Sequence, residues 1–300
     1  MSMAQNDPVV VGFDASAESR GAVRWAALEA VTRGRPLLVV HAIPVPLEEL
    51  TRIHLPSESV SLEPLRSAAQ ELLADIAAEC RRAHPELDVR TTARIGDPSS
   101  VLRDSTAHAS VLVLGPPRLS RIHQILLGST ASELVRSAHV PVVIVRGDRA
   151  LAAAEHPPSI ERVVVGIDGS ECSERAVDFA YDFASRHNGE LTATTALSEQ
   201  QPPDAIPPNR GWMRDSDAVE AQRRVLAESV AGRAGLFPDV VVHHNVTTDQ
   251  GPTDALLTAA VDADLLAVGT RGRGVVRSTL LGSVSHAVAP YAACPVAIIR

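Results

Sequence analysis

Lysine is absent: all 28 basic residues of this 300-residue chain are arginine. A Walker-type phosphate loop, Schiff-base chemistry and a lysine general base are therefore excluded. Cysteine is scarce. Cys80, Cys172 and Cys294 are widely spaced, form neither a CxxC pair nor a zinc pattern, and lie within apolar or helical stretches. That usage reads as buried, inert thiols in a reducing compartment. Met1–Pro8 has no apolar signal core, and no apolar run approaches the roughly 20 residues that a membrane-spanning helix needs. Both absences point to the cytoplasm. Positive charge is also in deficit. With 36 acidic residues and a formal net charge of -8, the chain lacks the balance of a protein that grips a nucleic-acid backbone.

What the chain does have is a long internal repeat. Val9-Val10-Val11-Gly12-Phe13-Asp14-Ala15-Ser16 recurs as Val163-Val164-Val165-Gly166-Ile167-Asp168-Gly169-Ser170, a shift of 154 positions. The same shift carries Leu127-Gly128-Ser129 onto Leu281-Gly282-Ser283 and the Pro141–Arg146 strand onto Pro295–Arg300. A constant offset over half the chain means duplicated globular domains, since stacked short repeats would show a period of about 20 to 50 residues. Each half, at about 150 residues, is large enough for its own core. The domains are placed at residues 1–147 and 161–300, joined by an Ala- and Pro-rich linker over 148–160.

Each half alternates apolar strands with helical stretches. Strands are expected at 9–13, 36–42, 89–93, 111–114 and 140–145, then at 163–167, 191–196, 240–246, 265–268 and 296–299. Several are apolar almost throughout, as parallel strands covered on both faces must be. Leu65, Ala69, Leu72, Leu73, Ile76 and Cys80 recur at helical spacing and should face the sheet. Five strands with four intervening helices per half imply an α/β class of two tandem, doubly wound, Rossmann-like domains. Long loops follow the second strand of each half, over 43–61 and 198–216; they read equally as lids, contact loops or variable surface.

The chemistry collects at strand ends. Gly269-Thr270-Arg271-Gly272 follows the apolar strand Leu265–Val268, and nine residues later comes Gly282-Ser283. Open α/β sheets bind ligands at such carboxyl ends. Gly272 and Gly274 let backbone amides form an anion nest, and the Gly282-Ser283 helix start offers further amides. The Ser283 hydroxyl could cap the helix or donate to a phosphate oxygen. Two anion-binding elements around one crevice suit a polyphosphate; a glycine-rich surface loop with an N-cap serine is the plain alternative. The dinucleotide fingerprint does not apply, because Gly272-Arg273-Gly274 lacks the third glycine and follows a fourth strand. Asp14 and Asp168 end the first strands, where a carboxylate could meet a ribose or hold a Mg²⁺ ion bridging phosphates. Helix capping together with Ser16 or Ser170 is the alternative role.

The repeated strand-end aspartate, the G-x2-G-x9-G-S loop and the terminal Pro-Val strand resemble the universal stress protein family, in its tandem two-domain form. The resemblance spans nearly all of Val9–Arg146 and Val163–Arg300. It implies a sheet order of 3-2-1-4-5, with ATP at the switch point between strands 1 and 4. In the second half it implies an ATP site of Gly166, Asp168, Ala196, Val268, Gly269, Gly272, Gly274, Gly282, Ser283 and Val284. Asp168 would lie on the ribose side, Ala196 on the adenine side, and the Gly282 helix start at the phosphates. The first-half equivalents are Gly12, Asp14, Ala42, Leu114, Gly115, Arg118, Gly128, Ser129 and Thr130. There Arg118 replaces the second glycine, and Pro116 and Pro117 remove two amides from the expected nest. Arg118 or Arg121 could compensate as phosphate-binding forks. A degenerate first site is the simpler reading, which leaves the intact site in the second half.

The histidines lack a base–nucleophile arrangement. His243 and His244, adjacent on a strand, point to opposite faces and cannot share one ion. No catalytic residue is assigned. The expected function is an ATP-binding stress-response protein that uses nucleotide, with Mg²⁺ where required, as a regulatory ligand. A slow ATPase is the enzymatic alternative, and an interaction module with vestigial sites is the third. Neither Val11–Ser16 nor Val165–Ser170 carries the HIGH-type or SGG-type motif of adenylating enzymes. The resemblance also implies self-association through the strand-5 edges, Val140–Arg146 against Cys294–Arg300, as a pseudo-twofold pair within the chain, with a homodimer and a regulatory protein partner as further expectations.

Overall fold

The computed structural model describes residues 7–44, 62–116, 127–146, 160–197, 215–272 and 282–300. Most of the two long loops and of the linker, together with Pro117, Arg118, Arg121, His123, Trp212 and Gly274, lie outside the described residues.

The chain divides into two compact units. The first runs β1 (Val9–Gly12), α1 (Ala17–Arg33), β2 (Leu37–Ile43), α2 (Glu63–Ala83), β3 (Val89–Ile95), α3 (Pro98–Ser105), β4 (Val111–Leu114), α4 (Ser129–Ser137) and β5 (Val142–Ile144). The second repeats this as β6 (Arg162–Gly166), α5 (Glu171–His187), β7 (Glu190–Ala196), α6 (Asp215–Ala231), β8 (Val242–Thr247), α7 (Pro252–Ala259), β9 (Leu265–Gly269), α8 (Ser283–Tyr291) and β10 (Val296–Ile299). Within the first unit the strand order is β3-β2-β1-β4-β5, and within the second it is β8-β7-β6-β9-β10. All of these neighbours pair in parallel. This is the doubly wound 3-2-1-4-5 arrangement in both copies.

Helices cover both faces of each sheet: α1 packs beside α2 and α3 beside α4, while α5 packs beside α6 and α7 beside α8. Central strands are therefore sealed from both sides. Val9, Val10 and Val11 are fully buried, as are Leu265, Leu266 and Ala267, which is why these strands read as unbroken apolar runs. On α2, Ala69, Leu73, Ile76 and Cys80 are buried as their spacing requires, whereas Leu65 is exposed at the first turn. β5 and β10 begin one residue after Pro141 and Pro295. Each proline carbonyl still accepts a ladder bond, from Leu112 N–H and Leu266 N–H, both at 2.9 Å, but the ring nitrogen has none to give.

The two copies of the first helix share their ends and differ inside. Ser16 and Ser170 cap the N-termini, and Gly34 and Asn188 close the C-termini in the left-handed conformation at φ 60° and 54°. In the middle, α1 buries Glu29 (1% exposed) against Arg33 at 2.5 Å. The equivalent positions of α5 hold Phe183 and His187, whose rings lie 4.4 Å apart. One unit thus fills this part of its core with an ion pair, the other with aromatic packing.

Candidate functional site

In the second unit, three separate segments meet at the carboxyl ends of β6 and β9. The first is the turn after β6. Ile167 N–H extends the ladder to Thr194 O at 2.8 Å, and Asp168 then accepts the Ser170 N–H on Oδ1 at 2.9 Å. The turn between them needs Gly169 at φ 72°. Ser170 Oγ accepts from Ser173 N–H at 3.2 Å, capping α5, and donates to Arg271 O at 3.0 Å.

That last bond reaches the second segment, the loop after β9. Gly269 sits directly on the first turn of α5: a Cβ there would lie 2.8 Å from Cys172 C and 2.9 Å from Ser173 N. Thr270, almost fully buried, donates its N–H to Ile299 O and accepts from Gly282 N–H, each at 2.7 Å. Gly272 then packs against the strand-end carboxylate so closely that an added Cβ would overlap Oδ2 of Asp168. The proximity of Asp168 to the glycine loop, implied by the resemblance, is thus a feature of the fold.

The third segment is the start of α8. Gly282 is its N-cap and supplies no side-chain cap bond, so Ser283 is the exposed first helical residue rather than the cap. The capping role expected as one alternative for Ser283 is therefore taken by Gly282. The first intrahelical amide bond runs from His286 N–H to Gly282 O at 3.1 Å, so the amides of Ser283, Val284 and Ser285 have no α-helical acceptor. Ser285 Oγ shares its proton between Gly282 O at 3.1 Å and Thr270 O at 3.3 Å, tying the helix start to the loop.

The other expected residues fall around this meeting point in less direct ways. Val268 is buried within β9. Ala196 is half-buried at the end of β7, in register with Thr247 of β8. Gly166 is a packing glycine: its missing Cβ leaves room for Leu256 of α7, whose methyls would lie 3.1 and 3.2 Å away. Gly12 does the same for Leu114 and Leu102 in the first unit.

The first unit keeps the frame and changes the connections. Asp14 Oδ1 accepts from Ser16 N–H at 3.0 Å and from Ser16 Oγ–H at 2.5 Å. The serine hydroxyl, turned toward the loop in the second unit, is here turned back on the aspartate. Gly115 again abuts helix backbone, with a built Cβ 3.0 Å from Glu18 C and O. Gly128 caps α4, Ser129 is exposed and Thr130 half-buried behind it, while Ala42 is half-buried at the end of β2 and Leu114 closes β4. Pro116 acts differently from the expected loss of a nest amide. Its counterpart, Thr270, spends its amide on Ile299 O, so proline at 116 removes a bond that fixes the loop to the last strand and not a nest amide. Ala131, at the position of Ser285, removes another loop anchor.

The left-handed turn offers a direct comparison, since Ala15 (φ 64°) stands where the second unit has Gly169. A non-glycine pays roughly 1–2 kcal/mol for this conformation. Gly169→Ala is therefore expected to destabilise the second unit by about 1 kcal/mol, and Ala15→Gly to leave the first unchanged or stabilise it by about 0.5 kcal/mol after the added chain entropy. Hydrogen-exchange protection within each unit measures both.

The cysteines separate into two kinds. Burial pushes the Cys80 thiol up to about 11 and Cys294 up to about 12, with the negative charges of Glu79 and Asp264 adding to the effect. Cys172 departs from the expected burial: it is half-buried in the first turn of α5, with Thr270 Oγ1 at 3.7 Å from its sulfur. Among the described residues no group of three or more His, Cys, Asp or Glu side chains could hold a metal ion. His243 Nε2 meets Glu190 Oε2 at 2.8 Å, and His41 Nδ1 meets Phe13 O at 2.7 Å. An open groove of about 740 Å³ lies elsewhere in the second unit, between α6 and β8, lined by Arg223, Arg224 and His244 among others and by none of the expected site residues.

On sequence alone Thr270 and Ser285 carry no role, Cys172 reads as buried and Ser170 is assigned only a capping role. The model of the universal stress protein family matches the chain twice, at residues 5–146 and 159–300. A universal stress protein of Mycolicibacterium smegmatis is 36% identical over 293 residues, covering 97% of this chain and 96% of its own. One from Mycobacterium tuberculosis is 34% identical over 297 residues, with the same coverage of both chains. Among solved structures, a universal stress protein from Archaeoglobus fulgidus covers 100% of this chain and 99% of its own, with a TM-score of 0.72 at 20% identity. That likeness is one of fold.

Proposed function

The chain belongs to the universal stress protein family, and from that premise we propose that it is an ATP-binding stress-response protein using nucleotide as a regulatory ligand, with its intact site in the second unit. The observation that carries this reading is the meeting of Asp168, the Gly269–Gly272 loop and the Gly282 helix start at the carboxyl ends of β6 and β9. Asp168 would accept from ribose hydroxyls. The orphan amides at the start of α8, backed by the helix dipole, would hold phosphates. A side chain at Gly272 would have to displace the Asp168 carboxylate, and its absence fits a backbone cradle. Magnesium would be held by Asp168 jointly with the phosphates, since one carboxylate alone is a poor site for a hard cation.

The first unit retains Asp14, Gly115 and Gly128 but has lost the loop anchors at 116 and 131, and this supports a weaker or structural role for it. No helix among the described residues is long and apolar enough to cross a membrane, and we place the protein in the cytoplasm. Homodimerisation belongs to the same proposal, and a monomeric mass in solution would remove it.

The test is to load the purified chain with ATP, remove unbound nucleotide, denature the protein and count what is released. About one nucleotide per chain is expected, and none from Gly272→Ala, whose stability should be nearly unchanged because the carboxylate tip can swing aside. Two per chain would mean that the first site is also live. None from the wild type, or full retention by Gly272→Ala, would refute the assignment.

A further inference from the structure

We propose that Ser170 is a positioning residue for the phosphate loop, latching that loop to the turn that carries Asp168. The inference rests on the nucleotide reading above and goes on to say what sets the affinity of that site. Ser170 makes three bonds at once. Its N–H goes to Asp168 Oδ1 at 2.9 Å, its Oγ accepts from Ser173 N–H at 3.2 Å, and its hydroxyl proton goes to Arg271 O at 3.0 Å, across 101 residues of sequence.

The third bond has a directional consequence. A trans peptide unit is planar, with its C=O and the following N–H pointing in opposite directions. Fixing Arg271 O on Ser170 therefore fixes the Gly272 N–H, which faces away from the serine. On the other side, Thr270 is pinned through its N–H to Ile299 O and through its carbonyl to Gly282 N–H, each at 2.7 Å. The Thr270–Gly272 backbone is thus clamped from two directions before any ligand arrives, so less of the binding energy is lost to ordering the loop. In the first unit the same serine, Ser16, gives its hydroxyl to Asp14 Oδ1 at 2.5 Å.

The latch acts on phosphates and not on the nucleoside, and the test uses that difference. Ser170→Gly removes the hydroxyl while keeping most of the capping of α5, because glycine at an N-cap is only slightly worse than serine. On the full chain, Ser170→Gly should weaken ATP binding about 3- to 10-fold, the worth of one hydroxyl–carbonyl bond. It should leave adenosine binding unchanged, and Ser170→Thr should restore ATP affinity. Equal losses for ATP and adenosine, or an unchanged ATP affinity, would overturn the latch while leaving the site itself standing. A wild-type chain that binds no ATP, or a Gly272→Ala chain that binds it normally, would instead remove the nucleotide reading and the latch with it.

Discussion

Arg33→Ala is expected to destabilise the first unit by about 3–5 kcal/mol, the usual consequence of breaking a buried ion pair from one side. Glu29 is 1% exposed and meets the Arg33 guanidinium at 2.5 Å. Without arginine the buried carboxylate loses this charge-assisted pair at a site almost closed to water, and that loss is costly. The second unit shows how the position can be filled otherwise, since Phe183 and His187 occupy the corresponding places on α5. The double change Glu29→Phe with Arg33→His should therefore be neutral or stabilising, by up to about 4 kcal/mol where packing permits. Because a two-unit chain need not unfold in one step, the measurement is hydrogen exchange on the β1 and β2 amides. Equal protection in Arg33→Ala and wild type would mean that water reaches Glu29 and the pair contributes little.

Gly269→Ala should damage both stability and binding. The added methyl would meet Cys172 C at 2.8 Å, Cys172 Cβ at 2.9 Å and Ser173 N at 2.9 Å. These are mainly backbone atoms of a capped helix, so they cannot rotate away as the Asp168 carboxylate can from Gly272. Forced separation of β9 from α5 is expected to destabilise the second unit by about 2–3 kcal/mol, in the upper range for overpacking. It should also lower nucleotide retention more than tenfold, because the loop and the α5 turn would no longer meet. Denaturant unfolding together with nucleotide counting checks both effects. Wild-type retention would show that the contact between β9 and α5 is not needed by the site.

The fold was legible because its signals are local and doubled. Parallel strands sealed on both faces must be apolar throughout, and a repeat of 154 positions marks each element twice. The strand-end aspartates and the Gly-Ser helix start were legible for the same reason. The approach of Gly272 to Asp168 came only with the resemblance, because contacts across a hundred residues leave no spacing to read. Roles were harder than positions. Pro116 looked like a lost phosphate ligand until Thr270 showed where that amide is directed. Ser283 looked like a possible cap until Gly282 proved to hold that place. Leu65 matched the apolar stripe of α2 but lies in its first turn, where it is exposed. In each case periodicity or residue type was right about the element and silent about the partner atom.

The uneven burial of the three cysteines has a practical consequence. Cys80 and Cys294 are buried and hold their protons to about 11 and about 12, so near neutral pH they present almost no thiolate to an alkylating dye. Cys172 alone is half-buried, in the first turn of α5 and beside Thr270 of the glycine loop. The unaltered chain therefore carries a natural attachment point for a fluorophore or spin label beside the glycine loop, and no cysteine-free background has to be built before the loop can be watched.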